Sequence, residues 1–193
     1  MSGAVAERGS VGPTRHGDPM GRQWSRSTWG DPNGCPEEHV MKKARALPVG
    51  TYVRIPLEDG SFGYGRVLSN PYMGFYNHRT AEPTDDLDAI DARPVLFTQA
   101  VRLLRFDRWV KLGCRELDGE MARPVVRFMQ DLADFRRCVL FDSTGAERQV
   151  GPEACVGVER AEVWELRHIE RRLLDTFMGR PNPDEVHARV RLA

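Results

Sequence analysis

The stretch PVGTYVRIPLEDGSFGYGRVL, Pro48 to Leu68, decides the fold. Two runs with β-like alternation flank Glu58-Asp59-Gly60-Ser61. Asp-Gly between such runs is a strong local hairpin signal. Centring the pairing on Asp59-Gly60 sets Glu58 against Ser61, Leu57 against Phe62, Ile55 against Tyr64 and Val53 against Arg66. The other face then holds Tyr52, Arg54 and Pro56 opposite Val67, Gly65 and Gly63. A two-residue turn would put Pro56 in a hydrogen-bonded pair that proline, lacking an N–H, cannot complete. A four-residue loop from Glu58 to Ser61 keeps the pairing and turns Pro56 outward at an edge or bend. Gly63 and Gly65 lose much backbone entropy in a strand. They imply a sharp coil or bulge of the sheet, or something lying close over the bare backbone.

Outward from the hairpin, Pro71–Tyr76 and Pro94–Leu104 read as further strands. So do Trp109–Leu112, Pro124–Phe128 and Cys138–Phe141. Phe128–Phe135 reads as a helical turn or loop, and Leu103–Arg108 and Leu117–Arg123 as polar connections. Asp142–Gly145 is a turn, with Glu147–Val150 as its returning partner. Glu159–Met178 is the best helix: Val163, Leu166, Ile169, Leu173, Leu174 and Phe177 fall on one stripe. Gly179, Pro181 and Pro183 stop it. No Ser, Thr, Asp or Asn caps its start. Trp164 and His168, four apart, lie off the leucine stripe, as a second packing face or an exposed pair for a partner. The expected fold class is α+β: a strongly bent antiparallel sheet, partly barrel-like, with a C-terminal helix packed on it.

Composition bounds the function. Of 193 residues, Lys and Arg number 28 and Asp and Glu 28, so formal net charge is zero. A nucleic-acid partner is therefore not favoured, although a local patch stays open. No apolar run reaches the ~18 residues of a membrane span, and the N-terminus lacks the apolar core of a secretory signal. A cytoplasmic location follows as the expectation. Cys35, Cys114, Cys138 and Cys155 are far apart with no C-x-x-C, which points to reduced thiols, some in the core. Residues 1–40 are rich in Gly, Ser, Pro and Arg, and read as a disordered tail in which Trp24 and Trp29 stand out. Met41 opens MKKARALPVG and is a plausible true start. The domain then spans 41–179, and 180–193 reads as a C-terminal tail.

The most charge-biased segment is AEPTDDLDAID, with Glu82, Asp85, Asp86, Asp88 and Asp91 and no base from Ala81 to Ala92. It reads either as a solvated loop or as an acidic surface for a basic partner. It does not fit the calcium-loop pattern, so no metal is expected. G-x-S-x-G, H-E-x-x-H and G-x-G-x-x-G are absent. The Asn77-His78-Arg79 triplet and His168 have no convergent partners in sequence. The expectation is a non-enzyme without a cofactor.

Three blocks, VGTYVRIPLEDGSFGYGRVL (Val49–Leu68), RWVKLG (Arg108–Gly113) and PEACVGVE with VWELRHIERRL (Pro152–Leu173), in this order resemble the immunity protein 26 family of bacterial polymorphic toxin systems. The resemblance runs over about Val49–Phe177. It implies a cytoplasmic antitoxin that binds a cognate toxin, with a nuclease as the candidate toxin class, and blocks it by occlusion, with no catalytic residues to carry over. The candidate partner-binding residues are then Glu82, Asp85, Asp86, Asp88, Asp91, Trp164 and His168. The alternative is a small barrel-like module for nucleic acid or peptide, with Tyr52, Phe62, Tyr64, Tyr72 and Phe75 as stacking platforms.

Overall fold

The computed structural model describes residues 47–102 and 108–192. The expected tail at 1–40, with Trp24, Trp29 and Cys35, lies outside the described residues, as does most of the 103–108 connection.

The chain opens as a meander, β1 (Thr51–Pro56), β2 (Phe62–Ser69), β3 (Tyr72–Tyr76) and β4 (Val95–Val101). A short helix, α1 (Leu87–Asp91), interrupts it between β3 and β4. β5 (Val110–Cys114) adds to β1, and β9 (Val163–Trp164) adds to β4, giving the order β5-β1-β2-β3-β4-β9. β6 (Val126–Gln130), β7 (Cys138–Asp142) and β8 (Glu147–Val150) form a separate three-stranded sheet. With α2 (Leu166–Phe177) and α3 (Pro183–Ala188), this is an α+β fold. The large sheet is bent but open, with β5 and β9 as its edges rather than joined into a barrel. Register shifts at Tyr52/Val53, Val67/Ser69 and Phe75/Tyr76 supply the irregularity. One pairing departs from the antiparallel expectation, since β9 runs parallel to β4.

The hairpin forms, one residue away from the expected register. Tyr52 faces Arg66, Arg54 faces Tyr64 and Pro56 faces Phe62. The loop is three residues long. Leu57 N–H donates to Ser61 O at 2.8 Å and Gly60 N–H to Leu57 O at 3.1 Å. Gly60 sits at φ 82°, where a side chain would be strained. This is a type I turn followed by a left-handed bulge residue. The slip moves every β2 side chain to the opposite face. Val53, Ile55 and Leu57 now share a face with Gly63, Gly65 and Val67, while Tyr52 and Arg54 share the other with Tyr64 and Arg66. Pro56 escapes the ladder as expected, because Phe62 exchanges its backbone bonds with Thr80 instead.

The glycine face packs against α2. A Cβ on Gly63 would lie 3.1 Å from Leu173 Cδ1, so the bare backbone admits the helix. Ile169 and Leu173 are fully buried there with Ile55, Phe75 and Trp164. Each such side chain contributes roughly 1.5–3 kcal/mol. α2 begins at Leu166 rather than at Glu159. The preceding residues are drawn into pairing: Ala161 N–H donates to Phe128 O at 2.9 Å and Arg102 N–H to Trp164 O at 2.8 Å. α2 ends in a Schellman turn, with Gly179 N–H on Thr176 O at 3.1 Å and Arg180 N–H on Asp175 O at 2.8 Å.

Residues 180–192 are not a tail. Asn182 is buried, its amide donates to Asp175 Oδ2 at 2.9 Å, and its oxygen caps α3 through Glu185 N–H at 3.0 Å. Gln130 then holds the Arg191 backbone through both its amide nitrogen and its oxygen.

Candidate functional site

The acidic segment is a strap laid across the sheet face opposite α2. It starts where Thr80 pairs with Phe62. Tyr64 stands fully buried beneath it, its hydroxyl 2.7 Å from Thr80 Oγ1 and accepting Thr84 N–H at 3.1 Å. Asp86 caps α1, accepting Asp88 N–H at 3.0 Å and Ala89 N–H at 3.1 Å. Ile90 is fully buried beside Tyr52, Tyr64 and Tyr76. Leu87 reaches Gly113 of β5, where an added Cβ would lie 3.0 Å from it.

Asp91 is the anchor. It accepts the Tyr52 hydroxyl at 2.5 Å and the Tyr76 hydroxyl at 2.8 Å, and meets Arg66 at 3.3 Å. Burial and the Asp91 carboxylate both push the Tyr52 and Tyr76 phenols far above their ordinary value. The Arg66 side chain is almost fully buried, lies over the Tyr52 ring at 4.4 Å, and donates to Arg115 O and Glu116 O at 3.1 and 2.7 Å.

The outer carboxylates are set differently. Asp85 meets Arg54 at 2.6 Å and Asp88 meets Arg115 at 2.6 Å, yet their side chains are 73% and 86% exposed. Glu82 is exposed. Five carboxylates are therefore answered by three arginines, with the uncompensated charge at the surface. Arg115, held by Asp88, is shifted to a higher pKa.

Sequence reasoning found the carboxylates and missed their anchors. Tyr52, Arg54, Tyr64 and Arg66 alternate with the apolar face of β1 and β2. That alternation was the available signal, and the one-residue register slip scattered it over both faces.

Trp164 and His168 do not share a helix face. Trp164 sits in β9, 4% exposed within the core, and is not open to a partner. His168 is half-buried and packs edge-on to Trp164 with ring centroids 6.3 Å apart. It borders a groove with Leu57, Glu58, Glu170 and Arg171. That groove and the strap lie on opposite faces of the large sheet, so the candidates form two places. Of the five stacking-platform candidates, Tyr52, Tyr64 and Phe75 are fully inside, and Phe62 and Tyr72 are half-buried. His78 packs on Tyr64 at 4.9 Å, and burial depresses its pKa. Cys138 and Cys155 are buried free thiols, and burial pushes the Cys155 thiol up to about 11. Among the described residues, no group of His, Cys, Asp and Glu could hold a metal ion, and no helix is long and apolar enough to cross a membrane.

The family model of Immunity protein 26 matches residues 48–139. The match supports the immunity protein 26 family over these residues. The match begins just before β1 and runs into β7, so it contains the hairpin, the strap and all its arginine and tyrosine anchors. The Pro152–Leu173 block of the sequence resemblance lies outside it. Comparison with curated proteins and with solved structures returns no match. The family name implies a toxin partner in general, and the strap lies inside the matched region with Asp85 and Asp88 largely exposed.

Proposed function

We propose that this protein neutralises a cognate toxin by binding it and covering its active site, without catalysis, in the cytoplasm of the cell it protects. The strap is the contact surface, and Glu82, Asp85, Asp86 and Asp88 are its carboxylates. The observation that carries this reading is the division of labour within the strap. Asp91, Ile90 and Thr84 fix it to the sheet, while Asp85 and Asp88 stand largely in solvent. A rigid, preorganised anionic ridge loses little entropy on docking. The partner surface it fits is basic, as in the substrate cleft of a nuclease toxin.

The test is co-expression with the toxin of the neighbouring reading frame. Asp85→Lys with Asp88→Lys leaves the fold intact, because both are exposed ion pairs worth ~0.2–1 kcal/mol each. It weakens toxin binding on the order of tenfold or more through like-charge repulsion and lowers protection. Full protection by the doubly reversed protein overturns the assignment of the strap.

A further inference from the structure

An open groove of about 430 Å³ runs between the two sheets, on a different part of the molecule from the exposed strap carboxylates. Its apolar lining comes from Leu68, Val95, Phe97, Met121, Val125 and Val158. Arg127 also lines it while being 2% exposed. One Arg127 nitrogen donates to Thr98 Oγ1 at 3.0 Å and another to Val126 O at 2.8 Å. Its Nε is fully buried without a hydrogen-bond partner. Among the described residues no carboxylate lies within 4.0 Å of it, although most buried arginines are paired. Glu159, which also lines the groove, offsets the Arg127 charge only from beyond 4.0 Å and holds Arg172 through a two-oxygen contact at 2.6 and 3.2 Å. Glu120 and Arg123 stand exposed at the rim. The Tyr72 ring, 5.1 Å from the Arg127 guanidinium, supplies only a weak substitute for an anion. Burial accordingly lowers the Arg127 pKa.

We propose that this groove binds a small aliphatic carboxylate, its alkyl chain along Val95, Phe97 and Met121 and its carboxylate on the Arg127 guanidinium. Size and charge select the occupant. Small-molecule sites run ~300–1,000 Å³ and use a few polar groups to orient the ligand; this groove is mixed, with Thr98, Arg127 and Glu159 set among its apolar walls. A guanidinium presents a donor fork that matches a carboxylate. This binding is independent of the strap.

The test uses hexanoate as the titrant, with hexanamide as the uncharged control, followed by the backbone amide resonances of Thr98, Val126 and Arg127. Hexanoate shifts them saturably and hexanamide binds at least roughly tenfold more weakly, as expected when a charge-assisted bond is lost. Two variants accompany it: Arg127→Gln, and Val95→Trp, which fills the groove from its half-buried wall and leaves Arg127 in place. Both lose the hexanoate response. Because Val95→Trp does not touch the buried charge, its result stands even if Arg127→Gln unfolds. Absence of any saturable shift overturns the proposal, as does equal binding of hexanamide. Retention of the response in folded Val95→Trp overturns the location.

Discussion

Asp91 and Asp88 sit three residues apart on α1 and do unlike work. Asp91 accepts hydrogen bonds from two buried phenols and faces the Arg66 guanidinium. Replacing it by Ala leaves two hydroxyls without that acceptor and the buried Arg66 with backbone carbonyls but no counter-charge. The expected cost is ~2–4 kcal/mol, discounted for the partial exposure of the carboxylate. Asp88→Ala removes an exposed pair and costs less than ~1 kcal/mol. Urea unfolding of the two variants checks this, and equal midpoints would refute the anchoring role of Asp91. His78 gives the pH counterpart. Burial, reinforced by Arg93 and opposed by Asp86, holds its folded pKa below the ordinary 6.5, while the unfolded chain titrates normally. The unfolded state therefore binds the proton first as pH falls. The His78 contribution is fully present above that ordinary value and declines as pH drops from there toward the folded pKa. A proton-NMR titration of the His78 ring should give a midpoint below that of a histidine in a peptide. A midpoint above it would contradict the burial.

At the scale of elements, the glycines of β2 and the leucines of α2 act as one unit. Leu173→Ala leaves a cavity over Gly63 and costs ~2–5 kcal/mol. Gly63→Ala alone crowds the Leu173 side chain at the 3.1 Å contact, which works against the backbone entropy that alanine saves. The two changes together should be milder than their sum by ~0.5 kcal/mol or more, because the new methyl occupies space the lost isobutyl group vacates. Strict additivity in thermal or urea melts would show that the helix does not rest on Gly63. The same elements show how far the sequence could be read. Strand positions and the C-terminal stop of α2 were legible because alternation and Gly179 are local signals. The hairpin register was not, since a three-residue and a four-residue loop differ only in whether Gly60 adopts positive φ. Nor was the start of α2. Glu159–Trp164 has helical spacing, but the edges offered by Phe128 and β4 win by tertiary pairing. The missing cap at Glu159 was the one hint. For the site, charge bias marked the strap, but Trp164 was paired with His168 on one helix face only because the helix was begun too early.

On the scale of the whole molecule, formal net charge is zero. Long-range attraction to a basic toxin cannot come from the protein as a monopole. It has to come from local asymmetry, which the strap supplies on the face away from α2. Such a field acts within about a Debye length, ~10 Å at 0.1 M salt. The association rate with the toxin should therefore fall as salt rises from 0.05 to 0.5 M by about an order of magnitude, while the dissociation rate changes little. Asp85→Lys with Asp88→Lys should flatten or invert that dependence. Lysine at both positions frees Arg54 from its carboxylate, leaves Arg115 with only the 3.6 Å contact to Asp91, and reverses the charge of the outer ridge. Stopped-flow measurement across the salt series separates the possibilities. A salt-independent rate for the native protein would mean that the toxin docks on another face, and the half-buried His168 groove would then be the next surface to mutate.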